Sequence, residues 1–165
     1  MRRKDREMPE EFAWEVADKC EWAVLGMVDP SGMPYCVPVS IARDGKSVYF
    51  HSAKGGFKIE CLENQAQVCI SCVGDTFRTP DKFTTEFESA ILRGQAVEVT
   101  DEQEKIHGLR LLCERHTPTN MENFDNAITR SLSRTGVWKV EVREITGKRK
   151  KYDAQGKEMK FGRME

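Results

Sequence analysis

Apolar residues recur with period two over most of this chain, and the period lengthens to that of a helix in only a few places. Trp22 to Val28 reads as a strand, and Asp29-Pro30-Ser31-Gly32 as the turn that ends it. Tyr35, Val37, Val39 and Ile41 alternate as a second strand. Pro34 and Pro38 interrupt its donors, which predicts an edge, bulged or broken strand. Arg43-Asp44-Gly45-Lys46 is a hairpin turn into a third strand, Val48 to Ser52. A fourth strand is centred on Val68 to Val73, followed by a polar loop from Gly74 to Lys82. Phe83 to Thr100 is a long strand-forming stretch in which Gly94 predicts a bulge or bend. The last strand opens at Gly136, with Trp138, Val140 and Val142 on one face, and a loose basic tail is expected from about Gly147.

Helical spacing marks four segments. Phe12, Val16 and Cys20 share a face just after Pro9, a residue tolerated at helix starts. A short helix follows Lys58 and runs to Asn64. Asp101 and Glu104 form a capping-box-like entry to a helix with the stripe Ile106, Leu109, Leu112 and Cys113. Thr117-Pro118-Thr119-Asn120 breaks it, and Phe124, Ala127, Ile128 and Leu132 define the next. The expected fold is mainly β: about six antiparallel strands in a small closed or split barrel, decorated by helices. At 165 residues, with no linker or internal repeat, it reads as one domain.

Composition narrows the function. Charged residues make up 32% of the chain, yet the net charge is −1, which argues against a whole-protein role on nucleic acid. The run Lys148-Arg149-Lys150-Lys151 is read as a solvated charge cluster, so nucleic acid is not expected as a partner. No apolar run is long enough to span a bilayer and no signal-peptide core follows the basic N-terminus, so a cytoplasmic protein without membrane contact is expected. The six cysteines are scattered through apolar patterns. Cys69 and Cys72 have CxxC spacing, but on a strand residues three apart face opposite ways, and no second ligand pair exists for a metal. His107 and His116 are nine apart, which does not suit a helical metal site; His107 is placed on a solvated surface and His116 at a helix end. The proximity of Cys113 to His116 is set aside as a catalytic pair for want of an orienting third group.

The chemistry concentrates in Val48 to Lys58. A strand breaks at Ser52-Ala53-Lys54-Gly55-Gly56 and resumes as a helix, an arrangement suited to holding a phosphate on free backbone N–H groups. Ser52 could donate a hydroxyl, and Lys54 and Lys58, one turn apart, positive charge. His51 ends the strand beside this loop and could hydrogen-bond a ligand or transfer a proton. Rossmann, Walker, HExxH and GxSxG patterns are absent from the sequence.

These motifs, in order, resemble the nitroimidazole-resistance (Nim) proteins within the pyridoxamine-phosphate-oxidase-like FMN-binding split barrels. The likeness runs from Arg2-Arg3-Lys4-Asp5-Arg6-Glu7 through Pro34-Tyr35-Cys36-Val37-Pro38-Val39-Ser40 and Tyr49-Phe50-His51-Ser52-Ala53 with Gly56 and Lys58. It continues through Ser89-Ala90-Ile91, Gly94 and Val99 to Lys105, and ends on Glu144-Ile145-Thr146-Gly147-Lys148. The resemblance implies a split β-barrel with peripheral helices that forms a homodimer, with FMN near the interface. It implies Pro38, Val39 and Ser40 along the flavin ring, His51, Ser52 and Ala53 lining the cofactor, Lys58 at its phosphate and Ser89 near the phosphate or ribityl chain, with His51 the catalytic candidate. Phe57 stands where relatives often carry a polar or basic residue, a loss Lys54 could offset; Arg93 is more basic than usual. The implied activity is an FMN-dependent oxidoreductase reducing small aromatic or nitro compounds. A non-catalytic flavin store or sensor and a pyridoxamine-phosphate-oxidase-like enzyme are the alternatives, the latter disfavoured because no arginine cluster is evident for a second phosphate. A related flavin or haem in place of FMN stays open.

Overall fold

The computed structural model describes residues 1–162. In chain order the regular elements begin with a short strand β1 (Glu7–Met8), helix α1 (Glu10–Lys19), and strands β2 (Ala23–Val28), β3 (Pro34–Val39), β4 (Ala42–Asp44) and β5 (Ser47–Ala53). Helix α2 (Phe57–Asn64) leads to the long strands β6 (Gln67–Arg78) and β7 (Thr85–Glu98). Helices α3 (Glu102–His116) and α4 (Phe124–Ser131) then precede β8 (Thr135–Lys150).

All pairings are antiparallel, and the strands form one sheet in the order β3-β2-β6-β7-β8-β5-β4, with β1 added against β8. The two edges of that order, β3 and β4, are separated in sequence only by Ser40 and Ile41. Two residues span well under ~12 Å at full extension, so the sheet must roll until its edges meet. The edges are not hydrogen-bonded to each other, and the result is a split barrel.

Its interior is filled by the inward halves of the alternating strands: Leu25 and Met27, Val48 and Phe50, Ile70 and Cys72, Ala90 and Leu92, Trp138 and Val140. Helix α1 covers one opening with Ala13, Trp14, Val16 and Ala17. A second core lies outside the barrel, where Tyr49 and Val137 pack against Leu109 of α3 and Phe124 of α4. The strand β5 therefore separates two cores, and successive residues face different ones.

Gly94 does sit at an irregularity, a register shift between Arg93 and Gly94 against β8. A Cβ there would overlap the Glu141 carbonyl oxygen, so the close approach of β7 to β8 requires glycine. Asp101 caps α3 as expected, accepting from the Glu104 backbone N–H at 2.8 Å.

Two expectations are corrected. The segment from Gly74 is not a loop: β6 continues to Arg78, paired with Thr85 to Phe87, because its polar residues lie on a two-stranded ribbon beyond the barrel. The basic segment from Gly147 is not loose. β8 runs on to Lys150 with β7 on one side and β1 on the other. Lys148 stacks over Phe87, and Arg149 lies over Phe12 and Phe161 while pairing with the buried Glu88. Further on, Glu158 pairs with Arg6 at 2.7 Å and Lys160 with Asp5 at 2.8 Å.

Candidate functional site

On β5 the side chains of Phe50 and Tyr49 enter different cores, and His51 follows Tyr49 toward the helices. His51 opens on a cavity of about 400 Å³ between β5, α3 and α4. Apolar walls come from Leu109, Leu112, Phe124 and Ile128, and polar atoms from Ser40, His116 and Thr135. Ser40 arrives there because it lies on the seam between the two sheet edges.

His116 was not anticipated at this place. Its Nε2 lies 2.9 Å from the Ile41 carbonyl oxygen, so that nitrogen carries a proton and donates it across the seam. The signal was in the sequence: Leu109, Leu112, Cys113 and His116 fall at i, i+3, i+4 and i+7, so His116 continues the buried stripe of α3. Cys113 lines the same cavity.

Beyond β5 the chain passes through Gly55 and Gly56 into α2. Gly56 has φ 109°, a left-handed angle that favours glycine, and no atom lies within 4 Å of where a Cβ would project from either residue. The Ile59 amide donates to the Gly56 carbonyl at 2.8 Å, while the Phe57 and Lys58 amides precede the first intrahelical donors and have no acceptor among the described residues. Lys58, in the first turn, has its Nζ 5.7 Å from the centroid of the Phe50 ring. It has no carboxylate partner among the described residues. Burial lowers its pKa. Desolvation, then the Lys58 charge, then His116 lower that of His51. The site is therefore a group of partly desolvated basic side chains with no carboxylate partner among the described residues.

The remaining sequence candidates divide. Ala53 ends β5 opposite Thr135, which lines the cavity. Ser52 is buried, and its hydroxyl donates to the Ala53 carbonyl at 2.7 Å. Pro38 is exposed on β3 opposite Val24, whereas the Val39 side chain belongs to the barrel core. Lys54 lines two other clefts, with Thr100 and Lys105, and His51 borders neither of them. Phe57 packs edge-on against Tyr35, ring centroids 4.9 Å apart, which ties α2 to β3. Ser89 is not brought to the others. It pairs with Lys148 on β8, while His51 pairs with Val137, and those partners are separated by about 36 Å of strand.

His107 does lie at the surface, 2.8 Å from Asp44, and no cluster of three or more metal-ligating side chains occurs among the described residues. No helix among them is long and apolar enough to cross a membrane.

The family profile for pyridoxamine 5'-phosphate oxidase matches residues 9–149. A Bacteroides thetaiotaomicron protein assigned provisionally to 5-nitroimidazole antibiotic resistance has a similar structure, with a TM-score of 0.72, 25% identity, and coverage of 86% of this chain and 85% of that one. The flavocytochrome Anf3 of Azotobacter vinelandii matches with a TM-score of 0.75 at 23% identity, over 92% of this chain and 70% of that one. An FAD- and haem-binding protein of Mycobacterium smegmatis matches with a TM-score of 0.74 at 18% identity, over 88% and 73%. No functionally curated protein matches the chain.

Proposed function

The chain belongs to the pyridoxamine 5'-phosphate oxidase family, and from that premise we propose that it is an FMN-binding oxidoreductase acting on small aromatic or nitro compounds. The observation that carries the flavin reading is the unpaired Lys58 beside His51 at the start of α2. Lys58 and the amides of Phe57 and Lys58 would hold the phosphate dianion of such a cofactor, which would supply the missing negative charge. Ser40 and the exposed Pro38 would border the flavin ring. The chemistry such a cofactor would supply is hydride acceptance and the passing of electrons singly or in pairs. The chain's own part is to anchor the phosphate, present His51 to the reacting face as a neutral imidazole able to give or take a proton, and exclude water with Leu109, Leu112 and Phe124. The cavity at His51 is of a size for one small flat ring.

The remote position of Ser89 supports a homodimer. It lies a strand's length from His51 in its own chain, so it serves the cofactor only if a second copy presents it. The likeness to the Bacteroides protein supports a nitroaromatic substrate class.

A second reading has haem in this place. It is favoured by His51, which lacks a hydrogen-bond partner among the described residues and has the lowered pKa of a ready metal ligand, beside an apolar cavity. One measurement separates the two: the visible absorption spectrum of freshly purified protein, followed by identification of any released chromophore. Two flavin bands and released FMN uphold the proposal, and a Soret band turns the reading to haem. A colourless protein that takes up neither compound overturns both. Turnover with a reduced nicotinamide donor then distinguishes an enzyme from a flavin store or sensor.

A further inference from the structure

Most polar side chains around the His51 cavity have already given their protons away. The Thr117 hydroxyl donates to the Cys113 carbonyl at 3.2 Å, the Ser131 hydroxyl to the Ala127 carbonyl at 2.7 Å, and the Thr135 hydroxyl to the Ser131 carbonyl at 2.9 Å. All three residues line the cavity. A hydroxyl carries one proton and two lone pairs, so each of these oxygens can only accept from a ligand. His116 is in the same state. Its Nε2 proton goes to the Ile41 carbonyl at 2.9 Å, so the neutral ring offers only the lone pair of Nδ1. Nδ1 is not among the buried atoms that lack a partner, and it bonds to no described residue, so it is open to an incoming donor.

The backbone adds to this. Helix α3 ends at His116 and α4 at Ser131, so the carbonyl ends of two helices border the cavity. Their partial negative charge favours a hydrogen-bond donor over a carboxylate or a nitro oxygen. A full positive charge is opposed from the other side, where desolvation and then the Lys58 charge already disfavour a proton on His51. The donors that remain are the Ser40 hydroxyl, the His51 ring and the weak Cys113 thiol.

We propose that this cavity is specific for a neutral flat ring that carries an N–H or O–H donor in addition to the group to be reduced, an aminonitroarene rather than a plain nitroarene. The proposal rests on reading the cavity as the substrate site. His116, Thr117, Ser131 and Thr135 are its specificity-determining residues. The ligand's donor meets this acceptor rim, the group to be reduced meets Ser40 and His51, and the ring lies against Leu109, Leu112 and Phe124.

Discrimination comes mainly from the ligand that does not fit. A ring of the same size without a donor expels water from the rim and leaves its lone pairs without partners, which costs more than the hydrogen bond itself contributes. A ligand whose only polar atoms are acceptors meets lone pairs with lone pairs. Volume alone would admit either compound.

The test compares para-nitroaniline with para-nitrotoluene, which differ only by an amino group in place of a methyl. Each is titrated at about pH 8, where imidazoles are neutral, into the isotope-labelled full chain as purified, and affinity is read from the amide shifts of Cys113, His116 and Thr135. Para-nitroaniline is expected to bind about fivefold more tightly or better. Thr117→Val combined with Ser131→Ala should bring the two affinities together. His116→Gln, whose amide still donates to Ile41 and accepts from the ligand, should keep the preference, and His116→Met should reduce it. The proposal is overturned if the two compounds bind equally, if neither shifts these amides, or if the hydroxyl double variant keeps the wild-type ratio. Should His116→Met not fold, the double variant decides. The visible spectrum keeps the two readings apart: a yellow protein without the preference loses this inference and retains the oxidoreductase reading, and a colourless protein with it does the reverse.

Discussion

The imidazole Nε2 of His116 donates to the carbonyl oxygen of Ile41 at 2.9 Å, joining the end of α3 to the seam where the sheet's two edges meet. That bond fixes which way the ring faces and leaves the rest of it to line the cavity beside His51. A hydrogen bond in a partly buried setting contributes about 1 kcal/mol net. His116→Ala is expected to lower the urea midpoint by a corresponding amount, without a change in m-value. An unchanged midpoint would show that the seam does not depend on it.

Lys58 carries the charge argument. Lys58→Ala removes a charge-assisted contact worth about 1.5–3 kcal/mol. FMN affinity should fall at least tenfold, read by quenching of free flavin fluorescence, with far-UV circular dichroism unchanged. In the free protein the same substitution removes a half-buried cation with no carboxylate partner among the described residues, and should leave stability equal or higher. Undiminished affinity would take Lys58 out of the site.

His51 makes stability depend on pH in a definite direction. Its folded pKa is lowered from 6.5, first by desolvation and then by Lys58 and His116. The unfolded chain therefore binds the proton more readily. The contribution of His51 is fully present above pH 6.5 and is lost as pH falls through the folded value. Thermal midpoints should drop on acidification from pH 7, and His51→Gln should flatten that part of the profile. An identical slope in the variant would assign it to other groups. FMN phosphate, where bound, opposes the shift and should weaken the dependence.

Gly94→Ala tests the bulge between β7 and β8. The added methyl overlaps the Glu141 carbonyl, a backbone atom that cannot turn aside. Loss of 3 kcal/mol or more is expected, on the order of severe core substitutions, read as a large fall in thermal midpoint or insoluble expression. A variant of wild-type stability would mean that the two strands can separate at that point without cost.

The barrel was legible in the sequence because its strands alternate cleanly and its turns carry their own chemistry. Asp29 Oδ1 accepts from the Ser31 and Met33 backbone N–H groups, as an Asp-led turn should. What was not legible depended on remote partners. Gly74 to Arg78 is polar and reads as loop, and only pairing with Thr85 to Phe87 makes it strand. Lys148 and Arg149 read as solvated charges because the aromatic rings that receive them, Phe87, Phe12 and Phe161, come from distant parts of the chain. In the site, His51 and Lys58 lie on one continuous stretch and were found together. His116 comes from an element more than fifty residues later, and the wide separation of Ser89 from His51 is a property of the β8 register that local pattern does not carry.

The open edge β3 carries Pro34 and Pro38 at positions of the same parity, while its ladder to β2 runs unbroken from Pro34 opposite Val28 to Val39 opposite Ala23. Both missing donors therefore fall on the side away from β2, leaving that rim few N–H groups with which to recruit a further strand. A sheet left unclosed would ordinarily invite edge-to-edge stacking and fibre growth. Here the β3 rim is a poor template for such pairing.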